Sequence, residues 1–157
     1  MISLETKFAK VILTKQAIIG LMNACIVYFS RTGNTKRFAQ AIADQVKAPI
    51  FDLASTQPSA LVDFDLLIFG TPVEGSSPAK ETAAYVENMP ATQNKKAILF
   101  CTYRVFGNER TMKKIEKVLE TKGYTTVFKV SKKGMKPEQP ADFTKELTEL
   151  KNAIGKL

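Results

Sequence analysis

Short apolar runs and amphipathic stretches alternate along the chain from residue 24 onward. The runs are rich in β-branched, aromatic and aliphatic residues, a composition typical of buried strands. They predict five strands, at residues 26–29, 49–53, 64–70, 96–102 and 124–130. The third run is apolar on both faces, as a central parallel strand should be, whereas the fifth alternates more cleanly and carries Lys129, which suits an edge position.

The remaining stretches follow the helical period. Their apolar stripes are Phe38, Ile42 and Val46; Ala79, Ala83 and Val86; Met112, Ile115, Val118 and Leu119; and Phe143, Leu147, Leu150 and Ile154. Gly123 is predicted to end the third helix as its C′ residue. Residues 55–62 predict a loop with one short helix. Strand and helix alternate five times, which predicts an α/β fold with a parallel sheet covered by helices on both faces.

Residues 1–23 fall outside this alternation. Some of their apolar residues have helical spacing, but the run at 17–22 is far shorter than the roughly 20 residues that a membrane span needs. Lysines interrupt the segment and no small-residue cleavage site follows, so it is a poor signal peptide. We expect no membrane span, an N-terminal extension over 1–23 that is either non-native or a loosely docked helix, and one domain over 24–157.

Composition narrows the chemistry. The two cysteines lie inside apolar runs without the spacing of a metal or iron-sulfur site, which indicates a reducing, cytoplasmic location. The chain has no histidine, which removes Ser-His and Cys-His nucleophile pairs and the commonest general base. Any redox chemistry would therefore be carried by a cofactor.

The formal net charge of +8 is unevenly distributed. Residues 1–94 hold 8 basic and 8 acidic side chains, whereas residues 95–157 hold 15 basic and 7 acidic. A positive face is predicted from Lys113, Lys114, Lys117, Lys129, Lys132, Lys133 and Lys136. It would steer an acidic protein partner, or merely aid solubility. No nucleic acid is expected as a partner, because no recognised binding motif or aromatic platform accompanies the lysines.

The loop after the first predicted strand, Ser-Arg-Thr-Gly-Asn-Thr at residues 30–35, is the most informative stretch. It leads into a helix, where unpaired backbone N–H groups and the helix dipole favour an anion. Ser30, Thr32 and Thr35 can each donate a hydroxyl hydrogen bond, and Gly33 lets the backbone wrap around a phosphate. The alternative is a turn that only caps the helix through Thr32, Asn34 or Thr35.

Cys25 and Arg31 also satisfy the Cys-x5-Arg pattern of phosphotyrosine phosphatases. Cys25 begins the predicted strand, however, and the extended residues between, at roughly 3.3 Å each, carry its thiol away from Arg31. We therefore interpret Cys25 as a small buried hydrophobe.

The motif Ser-x-Thr-Gly-x-Thr directly after the first strand resembles the FMN-phosphate loop of flavodoxins. The resemblance covers all five strands from residue 24 onward. It implies a flavodoxin-like, three-layer, doubly wound, five-stranded parallel sheet of strand order 2-1-3-4-5 with one noncovalently bound FMN. The ligand would then lie outside the carboxyl ends of the strands, where loops follow the first, third and fourth strands.

Carried over by position, the resemblance assigns the FMN phosphate to Ser30, Arg31, Thr32, Gly33, Asn34 and Thr35, with Arg31 acting through its backbone N–H. Thr71, Pro72, Val73, Glu74 and Gly75 would line one side of the isoalloxazine. Thr102, Tyr103, Phe106 and Gly107 would line the other side and the pyrimidine edge. Tyr103 can stack on the ring, and Gly75 would let a peptide turn to meet the flavin N5 once that atom is protonated. The alternatives are ordinary loop packing for Tyr103 and Phe106, and a plain solvent charge for Glu74.

The chain departs from many flavodoxins, which are acidic and carry Trp or Tyr in the second loop. This sequence is basic, lacks tryptophan and has Val73 and Glu74 at that place, so one aromatic wall is thin. The basic surface implies redox partners with an acidic docking face. Because no cysteine cluster follows the domain, any ferredoxin would be a separate polypeptide.

The resemblance implies an FMN-binding electron-transfer protein that shuttles electrons between redox protein partners and has no catalytic acid-base residue. One alternative is a small FMN-dependent oxidoreductase of the quinone reductase or protoporphyrinogen-oxidase type, although the short third loop leaves little material for a substrate pocket. Another is a non-redox phosphate-binding interaction domain, which the thin second-loop wall favours.

Overall fold

The computed structural model describes residues 22–157, which form one sheet with helices on both faces. The strands are β1 (Ala24–Tyr28), β2 (Ile50–Asp52), β3 (Leu66–Glu74), β4 (Ser77–Pro78), β5 (Lys95–Tyr103) and β6 (Tyr124–Lys133). The helices are α1 (Asn34–Val46), α2 (Lys80–Glu87), α3 (Asn108–Thr121) and α4 (Thr144–Ile154), and Leu53–Ser55 and Pro58–Leu61 form 3-10 turns.

Five strands are parallel in the order β2-β1-β3-β5-β6, which confirms the predicted topology and the edge position of the last strand. The sheet has a sixth strand that the sequence did not predict. Residues 71–78 were expected to be a loop, but β3 continues to Glu74 and pairs with the antiparallel β4. Gly75 and Ser76, with φ of 57° and 59°, form the tight turn between them, because two successive positive φ angles match the twist of a two-residue hairpin.

The hydrophobic core lies in two layers, one on each side of the sheet. Alternate residues of β1, β3 and β5 pack against α2 and α3 on one face and against α1 and α4 on the other. Phe38 of α1, for example, is fully buried between the rings of Phe100 and Phe143, at centroid distances of 5.3 and 5.1 Å. Burial of such a side chain stabilises the fold by roughly 1.5–3 kcal/mol. The apolar stripes predicted for α1, α3 and α4 are thus their inner faces, whereas the buried residues of α2 are Thr82, Tyr85 and Val86, so the predicted Ala83 does not belong to the core.

Both cysteines are free and buried in the first of these layers. Burial raises the pKa of the Cys25 thiol to about 12 and that of Cys101 to about 12. Each thiol is therefore protonated at neutral pH, whereas a phosphatase nucleophile must be a thiolate. The interpretation of Cys25 as a buried hydrophobe agrees with this environment.

Residues 1–21 of the predicted N-terminal extension lie outside the described residues. Its last two residues belong to the packed structure, since Met22 packs against the core and the Asn23 carbonyl accepts hydrogen bonds from the N–H groups of Asp65 (2.7 Å) and Leu66 (3.2 Å). Within residues 22–157, no helix has the length and hydrophobicity required to cross a membrane.

Candidate functional site

A cleft of about 480 Å³ opens at the carboxyl ends of the strands. The loops after β1 and β5 meet there with the last residues of β3, which the sequence predicted as a third loop. The expected site residues that line it are Arg31, Thr32, Asn34, Pro72, Val73, Glu74, Thr102 and Tyr103. Arg104, Met135, Lys136 and Pro137 also line it and were not expected. Ser30, Gly33, Thr35, Thr71, Gly75, Phe106 and Gly107 lie around the cleft without lining it.

The loop at residues 30–35 presents hydrogen-bond donors to the cleft. Gly33 has a φ of 96° and directly precedes α1. The Ser30 hydroxyl oxygen accepts hydrogen bonds from the N–H groups of Gly33 and Lys36, each at 3.1 Å, which curls the loop over the helix end. Ser30 thereby caps the helix, because the Lys36 N–H lies in its first turn, whereas the sequence suggested Thr32, Asn34 or Thr35 for that role. The N–H groups of Asn34 and Thr35, in its first turn, have no intrahelical acceptor and are suited to hold an anion.

Beneath this loop, two buried threonines join α1 to β5. The hydroxyls of Thr35 and Thr102 lie 2.8 Å apart, and the two residues are only 1% and 6% exposed. One hydrogen bond uses a single hydroxyl proton, so the pair keeps a second proton for a ligand. The buried pair also fixes the position of the loop relative to the strand that carries Tyr103.

The side chain of Arg31 makes contacts that the sequence did not predict. Its guanidinium donates to Glu74 in the β3–β4 hairpin and to Glu81 in α2, with closest distances of 2.8 Å to each, and lies 4.9 Å above the centre of the Phe29 ring. Hydrogen bonds from Arg31 lower the pKa of Glu81 below its usual range. Glu74 is therefore an ion-pair partner rather than a plain solvent charge, and the guanidinium connects the first loop to the second.

The loop after β5 packs against the turn of the hairpin. Gly107 has a φ of 97°, and a Cβ atom at this position would lie 2.8 Å from the Cα of Ser76. The connection from β5 to α3 contains only residues 104–107, so its middle residues lie at the outer rim, where Val105 is 67% exposed and Phe106 is 73% exposed. Tyr103 is consequently the aromatic side chain that lines the cleft among residues 22–157, whereas Phe106 is exposed at its outer rim.

Thr71 supports the site from below the cleft surface. It is fully buried, its hydroxyl lies 3.0 Å from that of Thr82, and its oxygen accepts a hydrogen bond from the Ala79 N–H at 3.3 Å. These contacts hold the first turn of α2 against β3. The side chain of Thr71 therefore positions the hairpin and does not face the cleft.

The segment that follows β6 closes the remaining side of the cleft. Met135, Lys136 and Pro137 lie there because Asn34 and Arg37 of α1 bind their backbone carbonyls. The sequence offered one signal for this wall, which is that β6 is parallel to the other strands and so ends at the same edge of the sheet.

The donor set of the cleft matches a ligand with a phosphate at one end and a flat apolar ring at the other. The hydroxyl of Thr32 and the N-terminus of α1 meet the needs of the phosphate. Tyr103 on one side and Pro72 and Val73 on the other offer apolar cover for the ring. A cleft of this volume is in the usual range for cofactor sites.

Comparison with known proteins agrees with this description. A sequence profile of the flavodoxin domain matches residues 25–152. An uncharacterized protein of Methanocaldococcus jannaschii is 29% identical over 115 residues, which cover 72% of this chain and 76% of that protein. The flavodoxin of Streptococcus pneumonia TIGR4 superposes with a TM-score of 0.70 at 17% identity, covering 84% of this chain and 94% of the other. Oxidised flavodoxin 1 from Bacillus cereus has a TM-score of 0.70 at 19% identity, with 85% and 97% covered. The two solved structures share the fold described above.

Proposed function

Because the chain belongs to the flavodoxin domain family and its cofactor is FMN, we propose that it carries electrons between redox proteins. When bound, FMN supplies one- and two-electron chemistry. The proposal rests on the polar side chains that line the cleft. Glu74 is the one carboxylate among the described residues that line it, and Arg31 holds that carboxylate in an ion pair. The cleft residues can therefore hold and orient a flavin, but the described residues that line the cleft supply no free carboxylate, and the sequence contains no histidine, to act as a general base on a substrate.

We assign the phosphate of FMN to the loop at residues 30–35 and its ring to the space between Tyr103 and the β3–β4 hairpin. Thr32 and Thr35 would donate their hydroxyls, and Asn34 and Thr35 would also donate their backbone N–H groups. Gly75, at the hairpin turn with no atom within 4 Å of a Cβ position, has room for the peptide rotation expected beside the flavin N5.

Direct binding tests the proposal. We expect the purified protein to show visible flavin absorption, or to quench the fluorescence of added FMN to a one-to-one endpoint at micromolar protein. Riboflavin should bind more weakly, because it lacks the phosphate that the helix end favours. A protein that neither shows colour nor quenches FMN at this concentration contradicts the proposal and leaves the loop as a site for another phosphate.

The partner that we propose is a redox protein with an acidic docking face, such as a separate ferredoxin in the cytoplasm. Two of the lysines of the predicted positive face are neutralised, because Lys129 pairs with Glu116 at 2.7 Å and Lys132 with Glu146 at 3.0 Å. The support comes instead from the cleft rim, where Arg104 is exposed next to Val105 and Phe106, and the exposed Lys133 pairs in register with Tyr103. An apolar centre flanked by basic groups favours a partner of opposite charge.

Salt dependence and one variant test this partner. We expect electron transfer to an acidic ferredoxin to slow as ionic strength rises, because screening weakens steering between opposite charges. Phe106→Ser should slow transfer roughly tenfold by removing apolar contact area while leaving FMN affinity unchanged. Val127→Ser, at a partly exposed valine on β6 away from the cleft, is the matched control. Transfer that is insensitive to salt, or steady turnover of a quinone with a nicotinamide donor, would argue for a different role.

A further inference from the structure

We propose that the segment at residues 134–137 is a fourth cofactor loop, in which Lys136 supplies the cation that binds the FMN phosphate. This inference rests on the proposed function and adds to it a residue that neither the phosphate-loop sequence nor the three-loop arrangement predicts.

The first step is the placement of the segment. Asn34 donates from its side-chain amide to the Met135 carbonyl at 3.1 Å, and Arg37 donates to the Lys136 carbonyl at 3.0 Å. Arg37 also binds the Gln139 carbonyl and the side-chain oxygen of Asn34. Both anchoring residues lie in the first turn of α1. The backbone of Lys136 is therefore fixed at the helix end where residues 30–35 would hold a phosphate.

The second step concerns the charges around the cleft. Its lining includes three cationic side chains, those of Arg31, Arg104 and Lys136. Arg31 is engaged by the carboxylates of Glu74 and Glu81. Arg104 follows Tyr103 and so belongs to the part of the cleft that we assign to the ring.

Of the three cationic residues that line the cleft, Lys136 is the one that stays available at the phosphate end. Within residues 22–157 it forms no ion pair, and its nearest acidic neighbour in the chain, the exposed Glu138, makes none with it. A phosphate monoester carries about two negative charges at neutral pH. The hydroxyls and backbone N–H groups of the 30–35 loop carry no full positive charge. The negative charge of the phosphate is therefore not neutralised by the loop, and a nearby ammonium group can bind it.

The test compares FMN with riboflavin in matched lysine variants. In buffer of low ionic strength, Lys136→Met should weaken FMN binding roughly five- to tenfold and change riboflavin binding by less than about twofold, since only FMN carries the phosphate. Lys133→Met removes the same charge from an exposed residue outside the cleft lining and should leave both affinities within about twofold. Lys136→Arg, which keeps the charge, should restore most of the FMN affinity. High salt should narrow the gap between wild type and Lys136→Met.

Three results would overturn the inference. Unchanged FMN affinity in Lys136→Met would show that the Lys136 ammonium does not bind the phosphate. If Lys136→Met weakens FMN and riboflavin binding equally, the residue supports the loop and does not bind the phosphate. If Lys133→Met weakens FMN binding as much as Lys136→Met does, the effect comes from general surface charge. Failure of the wild-type protein to bind FMN is a separate outcome, because it would overturn the proposed function itself.

Discussion

Replacing Thr32 and Thr35 together with valine is expected to weaken FMN binding by at least about a hundredfold. A hydrogen bond to a charged group contributes roughly 1.5–3 kcal/mol, and the double variant removes two hydroxyl donors from the helix end that we assign to the phosphate. Valine keeps the shape of threonine, so the expected loss reflects the missing donors and not a cavity.

The two threonines should contribute in different ways. Thr32 lines the cleft, and its removal should affect binding with little change in stability. Thr35 is buried against Thr102, so Thr35→Val also leaves the Thr102 hydroxyl without its partner. An unsatisfied buried hydroxyl costs roughly 1–3 kcal/mol, which should appear as a lower free energy of unfolding in the absence of FMN.

Fluorescence titration of FMN and riboflavin, with urea unfolding of the apoprotein, separates these effects. The matched control is Thr32→Ser with Thr35→Ser, which retains both hydroxyls and should bind FMN within about tenfold of wild type. If the valine double variant stays folded and binds FMN as tightly as the serine variant, the hydroxyls do not hold the phosphate.

The sequence predicted the parts of this structure that depend on local pattern. The apolar runs of β1, β3 and β5 are buried on both faces, and Phe38 and Ile42 mark the inner face of α1 correctly. The loop at residues 30–35 was found for the same reason, because a strand, a glycine and hydroxyls stand in one short stretch. Gly123 was identified as the C′ residue of α3 from its position after the helical stripe, and its φ of 92° agrees.

The parts that were missed depend on contacts between residues far apart in the chain. The ion pairs of Arg31 join it to residues 43 and 50 positions away, and the bonds that place residues 135–139 span about a hundred positions. The periodicity of apolar residues along a strand or helix carries no information about contacts between such distant residues. The hairpin was missed for a different reason, since Pro72 and Gly75 in the sequence indicate a loop, whereas the structure uses Gly75 for the turn and continues the strand through Pro72.

Charge counting along the sequence was similarly incomplete. It located the basic excess in the second half of the chain, but Lys129 and Lys132 have carboxylate partners from other elements. Lys136, which lines the cleft, and the exposed Lys133 form no ion pair within residues 22–157, so a phosphate or an acidic protein surface can meet them. The docking proposal and the assignment of Lys136 both depend on this redistribution.

Replacing Gly123 with alanine is expected to destabilise the domain by about 3 kcal/mol or more. The residue joins α3 to β6 with a φ of 92°, and a Cβ atom there would lie 2.0 Å from the carbonyl oxygen of Thr92. That carbonyl cannot easily retreat, because the Thr92 N–H donates to the Lys122 carbonyl at 2.8 Å and the Lys95 N–H donates to the Gly123 carbonyl at 3.1 Å. Alanine therefore combines an unfavourable φ with a clash between two backbone segments.

Gly134→Ala is the matched control for this prediction. Gly134 also has a positive φ, of 71°, but no atom lies within 4 Å of its Cβ position. The cost there should be about 1 kcal/mol, which is the conformational penalty alone. Urea unfolding should show both losses, and thermal unfolding should place the midpoint of Gly123→Ala roughly 10 °C below wild type.

The position of Gly123 also separates stability from function. It directly precedes β6 at the amino ends of the strands, on the side of the sheet opposite to the cleft. A Gly123→Ala variant that remains folded at low temperature should therefore bind FMN within about twofold of wild type. Equal destabilisation by the two alanines would show that the contact with Thr92 relaxes without cost. A large loss of FMN affinity in the folded variant would show that the connection between α3 and β6 controls the position of the cleft walls, including the segment that carries Lys136.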